Sequence, residues 1–269
     1  MDFSQVIASG LIGVVSSIVI NSLVKKGWFN KTYGWIVLFF IIAIWNASVY
    51  YFNRDLSGRN ITTSVESVID KISTFQVIKE YDFETYISIK NKTIAIANQH
   101  VSEQELIDAI QPDILKLQKE RMLFATNPWV VDVIKLNIEQ IVAIQKISPE
   151  KCFRYLFPGV KGGINPARLL SNDILKRRIA TDTEMMRSSY SQNRHIITED
   201  ETDRARENLR SVAKSLIIKY GSDIDILDQP IKGLGKEKIA CELVKTMWEK
   251  VVNFPEEEAA GITRLILSS

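Results

Sequence analysis

Residues 6–24 read VIASGLIGVVSSIVINSLV and residues 33–52 read YGWIVLFFIIAIWNASVYYF, with the basic loop Lys25 to Thr32 between them. A helix needs roughly 20 apolar residues to cross the hydrocarbon core of a bilayer. The first run supplies 19 and the second 20, neither with a charge. A cleaved leader followed by a buried helix fits less well. The chain opens Met-Asp-Phe-Ser-Gln without a basic stretch, and no small-x-small cleavage site precedes Lys25. Trp28, Tyr33 and Trp35 flank one end of the second run and Tyr50, Tyr51 and Phe52 the other, where interfacial aromatics belong. The expectation is a transmembrane hairpin over 1–58, and hence a membrane-integral protein.

Orientation is finely balanced. The loop carries Lys25, Lys26 and Lys31 against Arg54, Arg59 and the amino terminus on the other side. Lysines in short loops count most, which favours a cytoplasmic loop and a C-terminal domain outside. The habit of two-span anchors, which keep both termini inside, leans slightly the other way and favours a cytoplasmic domain. Within the first run, Ser9, Gly13, Ser17 and Asn21 recur every four residues and form one small, polar stripe. Such stripes let helix backbones approach closely in lipid, and an amide can hydrogen-bond across the contact. In a hairpin turning near Phe29, Asn21 and Asn46 lie at different depths and cannot satisfy each other. The stripe and Asn46 therefore point to a homo-oligomer, although packing within one hairpin would also use them.

The remaining residues, 59–269, are enough for a substantial core. Ser102-Glu-Gln-Glu105 and Thr198-Glu-Asp-Glu201 are capping boxes. Pro112, Pro128, Pro149 and Pro166 each follow a polar residue and are placed to open a helix. Apolar residues at helical spacing run through Val65–Phe75, Val130–Val142 and Lys238–Phe254. Only Tyr86–Ile96 and Asp223–Leu227 alternate as strands do. The expectation is an all-α fold, a mainly helical soluble domain with little sheet and a sub-boundary near 158–166, where Gly159, Gly162 and Gly163 gather. Cys152 and Cys241 are too few for a disulfide scaffold and read as small apolar helix residues.

Net charge is only +2, but residues 151–195 carry nine positive and three negative side chains between acidic neighbours. Lys161, Arg168, Lys176, Arg177 and Arg178 lie at the centre of this segment. They read either as a solvated face paired with the acidic segments or as a site for an anionic ligand: a lipid headgroup, a nucleotide or a nucleic acid. Few aromatics lie nearby to stack bases.

Two strings suggest chemistry. In Tyr220-Gly-Ser-Asp-Ile-Asp-Ile-Leu227, a strand would put Asp223 and Asp225 on one side, as a Mg²⁺-holding pair requires. Ser222 to Leu227 resembles the metal-binding strand of the minimal nucleotidyltransferases, which would imply magnesium-dependent nucleotidyl transfer. That family places its Gly-Ser turn about ten residues earlier, whereas Gly221 and Ser222 abut Asp223 here. Ile231-Lys-Gly-Leu-Gly-Lys-Glu-Lys-Ile-Ala240 resembles the turn of helix-hairpin-helix modules, which would imply phosphate binding at Gly233 and Gly235. It departs from them at Ile239, where that family has alanine. It is not a P-loop, because Glu237 stands where Mg²⁺ needs Ser or Thr. His100 and His195 have no ligand set near them in sequence, and no zinc, metalloprotease or serine-hydrolase motif occurs. The composite expectation is a non-enzymatic, membrane-anchored scaffold, adaptor or sensor acting by protein–protein contact. It needs no cofactor and no metal.

Overall fold

The computed structural model describes residues 69–99 and 103–268. The expected hairpin, with Ser9, Gly13, Ser17, Asn21 and Asn46, lies outside the described residues. So does the capping serine Ser102. Among the described residues there is no strand, and no helix is long and apolar enough to cross a membrane. The fold class is all-α.

Among the described residues the helices follow in order: α1 Ser73–Tyr81, α2 Phe83–Ala97, α3 Glu103–Phe124, α4 Asn127–Ile147, α5 Pro149–Leu156, α6 Pro158–Lys161, α7 Asn172–Tyr190, α8 Glu199–Tyr220, α9 Glu237–Val252 and α10 Glu256–Ser268. Three 3-10 turns join them, at Pro166–Arg168, Gly221–Ile226 and Pro230–Gly233. Helix α4 is central. Its buried residues, among them Val130, Val133, Ile134, Asn137, Ile141 and Ile144, recur at spacings of three and four and form one broad face. Helices α7, α9, α5 and α10 pack on it, while α8 packs on α9 and α10. One continuous core contains Phe153 and Tyr155 ahead of residues 158–166 and Leu175 and Met185 after them.

Several local signals act as their chemistry dictates. Pro128 and Pro149 sit in the first turns of α4 and α5. Ser148, Ser171 and Thr198 each accept a backbone N–H at a helix start. Three expectations are corrected. Tyr86–Ile96 is helix, because Asp82 caps α2 by accepting from Thr85 N at 3.1 Å. Its buried residues Tyr86, Ile89, Thr93 and Ala97 are spaced by three and four. Asp223–Leu227 lies in and just after the 3-10 turn Gly221–Ile226. Pro112 opens no helix, since α3 runs through it and loses a single backbone bond there.

The cysteines are also corrected. Cys152 on α5 and Cys241 on α9 are fully buried and joined in a disulfide, with Cα atoms 6.1 Å apart. Their burial as small helical residues was legible, but the bond was not. Helices 89 positions apart in sequence meet face to face at this point.

Candidate functional site

The basic segment does not converge on one site. Arg178 turns into the core between α7 and α4 and is fully buried. Its Nε donates to both carboxylate oxygens of Asp182 at 2.9 Å, and Nη1 donates to Asn137 Oδ1. Burial pushes the Asp182 carboxyl up from its ordinary range, and the adjacent Arg178 opposes the shift. Arg178 therefore belongs to the interior, not to a ligand site. Next to it in sequence, Arg177 lies on the surface and pairs with Glu139 at 2.5 Å and Asp173 at 3.0 Å. Lys161 engages different helices, reaching Glu150 at 3.5 Å and Glu237 at 3.2 Å. Arg168 and Lys176 are exposed. Partner choice explains the difference: an arginine at i, i+4 from an inward-facing aspartate is drawn in with it, as Arg178 is with Asp182.

The two chemical strings fold onto each other. Lys236 Nζ lies 2.6 Å from Asp223 Oδ1, and Lys232 Nζ lies 2.6 Å from Asp225 Oδ2. The carboxylates proposed for a metal are thus neutralised by lysines of the turn proposed for phosphate. A 3-10 turn advances about 120° per residue, so positions two apart do not share a face. Among the described residues, no group of three or more His, Cys, Asp or Glu side chains could hold a metal ion. Gly233 has a packing reason. A Cβ there would lie 2.5 Å from Phe153 Cε2, one residue from the disulfide. Gly235 adopts φ +78°, which glycine takes without strain.

A relay around His195 escaped the sequence reading. Its Nε2 lies 2.6 Å from Glu201 Oε2, and Glu201 Oε1 accepts from Arg264 Nη1 at 3.0 Å. Arg264 Nη2 donates to Ala125 O at 2.6 Å, while His195 N donates to Phe124 O at 2.8 Å. Burial lowers the Arg264 guanidinium pKa, and Glu201 opposes the shift. The Glu201 carboxylate thus joins α8, α10 and the α3–α4 junction. The only hint in sequence was Glu201 as the last residue of a capping box. A cavity of about 10 Å³ borders Glu201, Arg204, Glu257 and Gly261. That is room for about one water, far from the roughly 300 Å³ or more of a small-molecule site.

Beside this relay runs a ladder of rings and cations. Tyr81 stacks on Tyr190 with centroids 5.3 Å apart, and Arg121 lies 4.5 Å over Tyr190 and 5.6 Å over Phe124. Arg194 covers Phe124 at 5.9 Å. These contacts clamp the C-terminal ends of α1, α3 and α7 together, each worth roughly 0.5–1 kcal/mol at an exposed site.

Exposed apolar side chains occur beside this ladder, at Tyr81, Phe83, Phe124, Ile196 and Ile197, and in a second group. Ile217, Ile218, Ile231, Leu234 and Ile239 are all exposed where the end of α8, two 3-10 turns and the start of α9 follow one another and pack together. Ile218 is 87 % exposed. Protein-family models, curated proteins and solved structures give no match to this chain.

Proposed function

We propose that the chain is a membrane-anchored helical scaffold or adaptor. It assembles with copies of itself through the Ser9, Gly13, Ser17 and Asn21 stripe, with Asn46 beside it, and presents the aliphatic end at 217–239 to a protein partner. That aliphatic end is the observation that carries the reading. Five large aliphatic side chains face water within 23 consecutive residues, on elements that pack on one another, and exposed apolar patches are what interaction surfaces carry. Local charge there is nearly balanced and partly paired, with Lys232 and Lys236 bound to Asp225 and Asp223. Such a surface suits a protein better than a polyanion. The internal pairing of Arg178, Asp223 and Asp225 removes three residues on which the ligand-binding and catalytic readings leaned.

The test uses the full chain in mild detergent. Gly13→Leu should split its cross-linked oligomers while leaving the helical far-UV spectrum unchanged. Oligomers of unaltered size would count against assembly through the stripe.

A further inference from the structure

The Cys152–Cys241 bond bears on which side of the membrane the domain works. The two residues are all the cysteine the chain has, so each can pair within the chain only with the other. Their Cα separation of 6.1 Å suits a bridge without movement of either helix. Both are fully buried among apolar neighbours such as Phe153, and no Cys-x-x-Cys spacing marks a redox-active pair. A buried structural disulfide of this kind belongs to an oxidising compartment, because cytosolic thiols are kept reduced. The charge of the hairpin loop points the same way. Lys25, Lys26 and Lys31 in a short connection favour a cytoplasmic loop, and that arrangement carries everything after Phe52 to the opposite side.

Resting on the membrane-anchored reading above, we propose that residues 69–268 fold on the oxidising, non-cytoplasmic face of the membrane, where a thiol–disulfide oxidoreductase joins Cys152 to Cys241. In that exchange the two thiols of the chain form one disulfide. Their two electrons and two protons reduce the donor's disulfide to a dithiol. The slight lean towards a cytoplasmic domain, which rested on the habit of two-span anchors, is thereby reversed. On that side the domain meets neither cytosolic nucleotides nor nucleic acid.

The experiment counts thiols in the full chain. Cells are quenched in acid, the protein is denatured, and a maleimide polymer is added with or without prior reduction. The expected result is no added mass without reductant and two additions after it, together with an active alkaline phosphatase fused after Ser269. Two additions without reductant would overturn the bond. A bonded pair with an inactive phosphatase and a fluorescent cytoplasmic fusion would overturn the sidedness. Neither readout depends on the oligomer, so a failure here is distinguishable from a failure of the scaffold reading.

Discussion

Replacing Arg178 with Met leaves Asp182 in the core without its partner, and removing one member of a buried pair costs on the order of 3–5 kcal/mol. Replacing its neighbour Arg177 with Ala removes an exposed pair with Glu139 and Asp173, worth roughly 0–1 kcal/mol. Urea unfolding of the two variants should separate them clearly; equal losses would contradict the burial of Arg178. The cysteines act at the same scale. A loop of 89 positions closed by a disulfide stabilises by about 4–5 kcal/mol in the chain-entropy view. Unfolding with and without reductant should show a loss of that order, and a thiol-free variant should not respond to reductant at all. Asp70 carries a pH effect of definite sign. The Tyr86 hydroxyl donates to its carboxylate and holds its pKa below the ordinary value, against a smaller opposing effect of burial. Its contribution is present above the unfolded pKa and is lost as pH falls through the lower folded value. Tyr86→Phe should therefore flatten the stability profile on the acid side of the usual aspartate range. Acid titration monitored by circular dichroism reads that slope.

At the scale of elements, Gly233 tests why the turn before α9 contains glycine. A Cβ at Gly233 meets the Phe153 ring at 2.5 Å, whereas at Gly235 it meets nothing within 4 Å. Gly233→Ala should cost about 1–3 kcal/mol by overpacking beside the disulfide. Gly235→Ala should cost about 1 kcal/mol through its positive φ alone. Thermal unfolding of both variants checks the difference. The starts of α4, α5 and α8 were readable, because Pro128, Pro149 and Thr198 act locally and leave their mark in the chain. Tyr86–Ile96 misled because Ile87 and Ile89, and Ile94 and Ile96, alternate as in a strand, although the two pairs are seven residues apart, two turns of a helix. Asp82, three residues before Thr85, was the cap that decides it. Asp223 and Asp225 looked like a same-face pair only if extended, and their partners Lys232 and Lys236 become visible as partners only once the turn folds back. The His195–Glu201–Arg264 relay was out of reach, since it joins positions 63 residues apart that share no local pattern.

For the whole molecule, the aliphatic side chains at 217–239 and the proposed contact stripe Ser9–Asn21 make separate demands. Ile218 is so exposed that Ile218→Glu should change folding stability by no more than about 0.5 kcal/mol, yet it places a charge in the proposed partner surface. Partner capture in membranes should fall at least tenfold with oligomer size unchanged, as measured by cross-linking from a probe at Lys214. Undiminished capture would assign the partner to another face. Helix α4 is the hub on which α5, α7, α9 and α10 pack, so the domain should unfold in a single transition when the disulfide is intact. Assembly is the central claim, and light scattering of the full chain in detergent, with bound detergent subtracted, tests it most directly. The proposed scaffold predicts a protein mass of two or more whole chains, falling to a single chain in Gly13→Leu. A wild-type mass of one chain at micromolar concentration would contradict it.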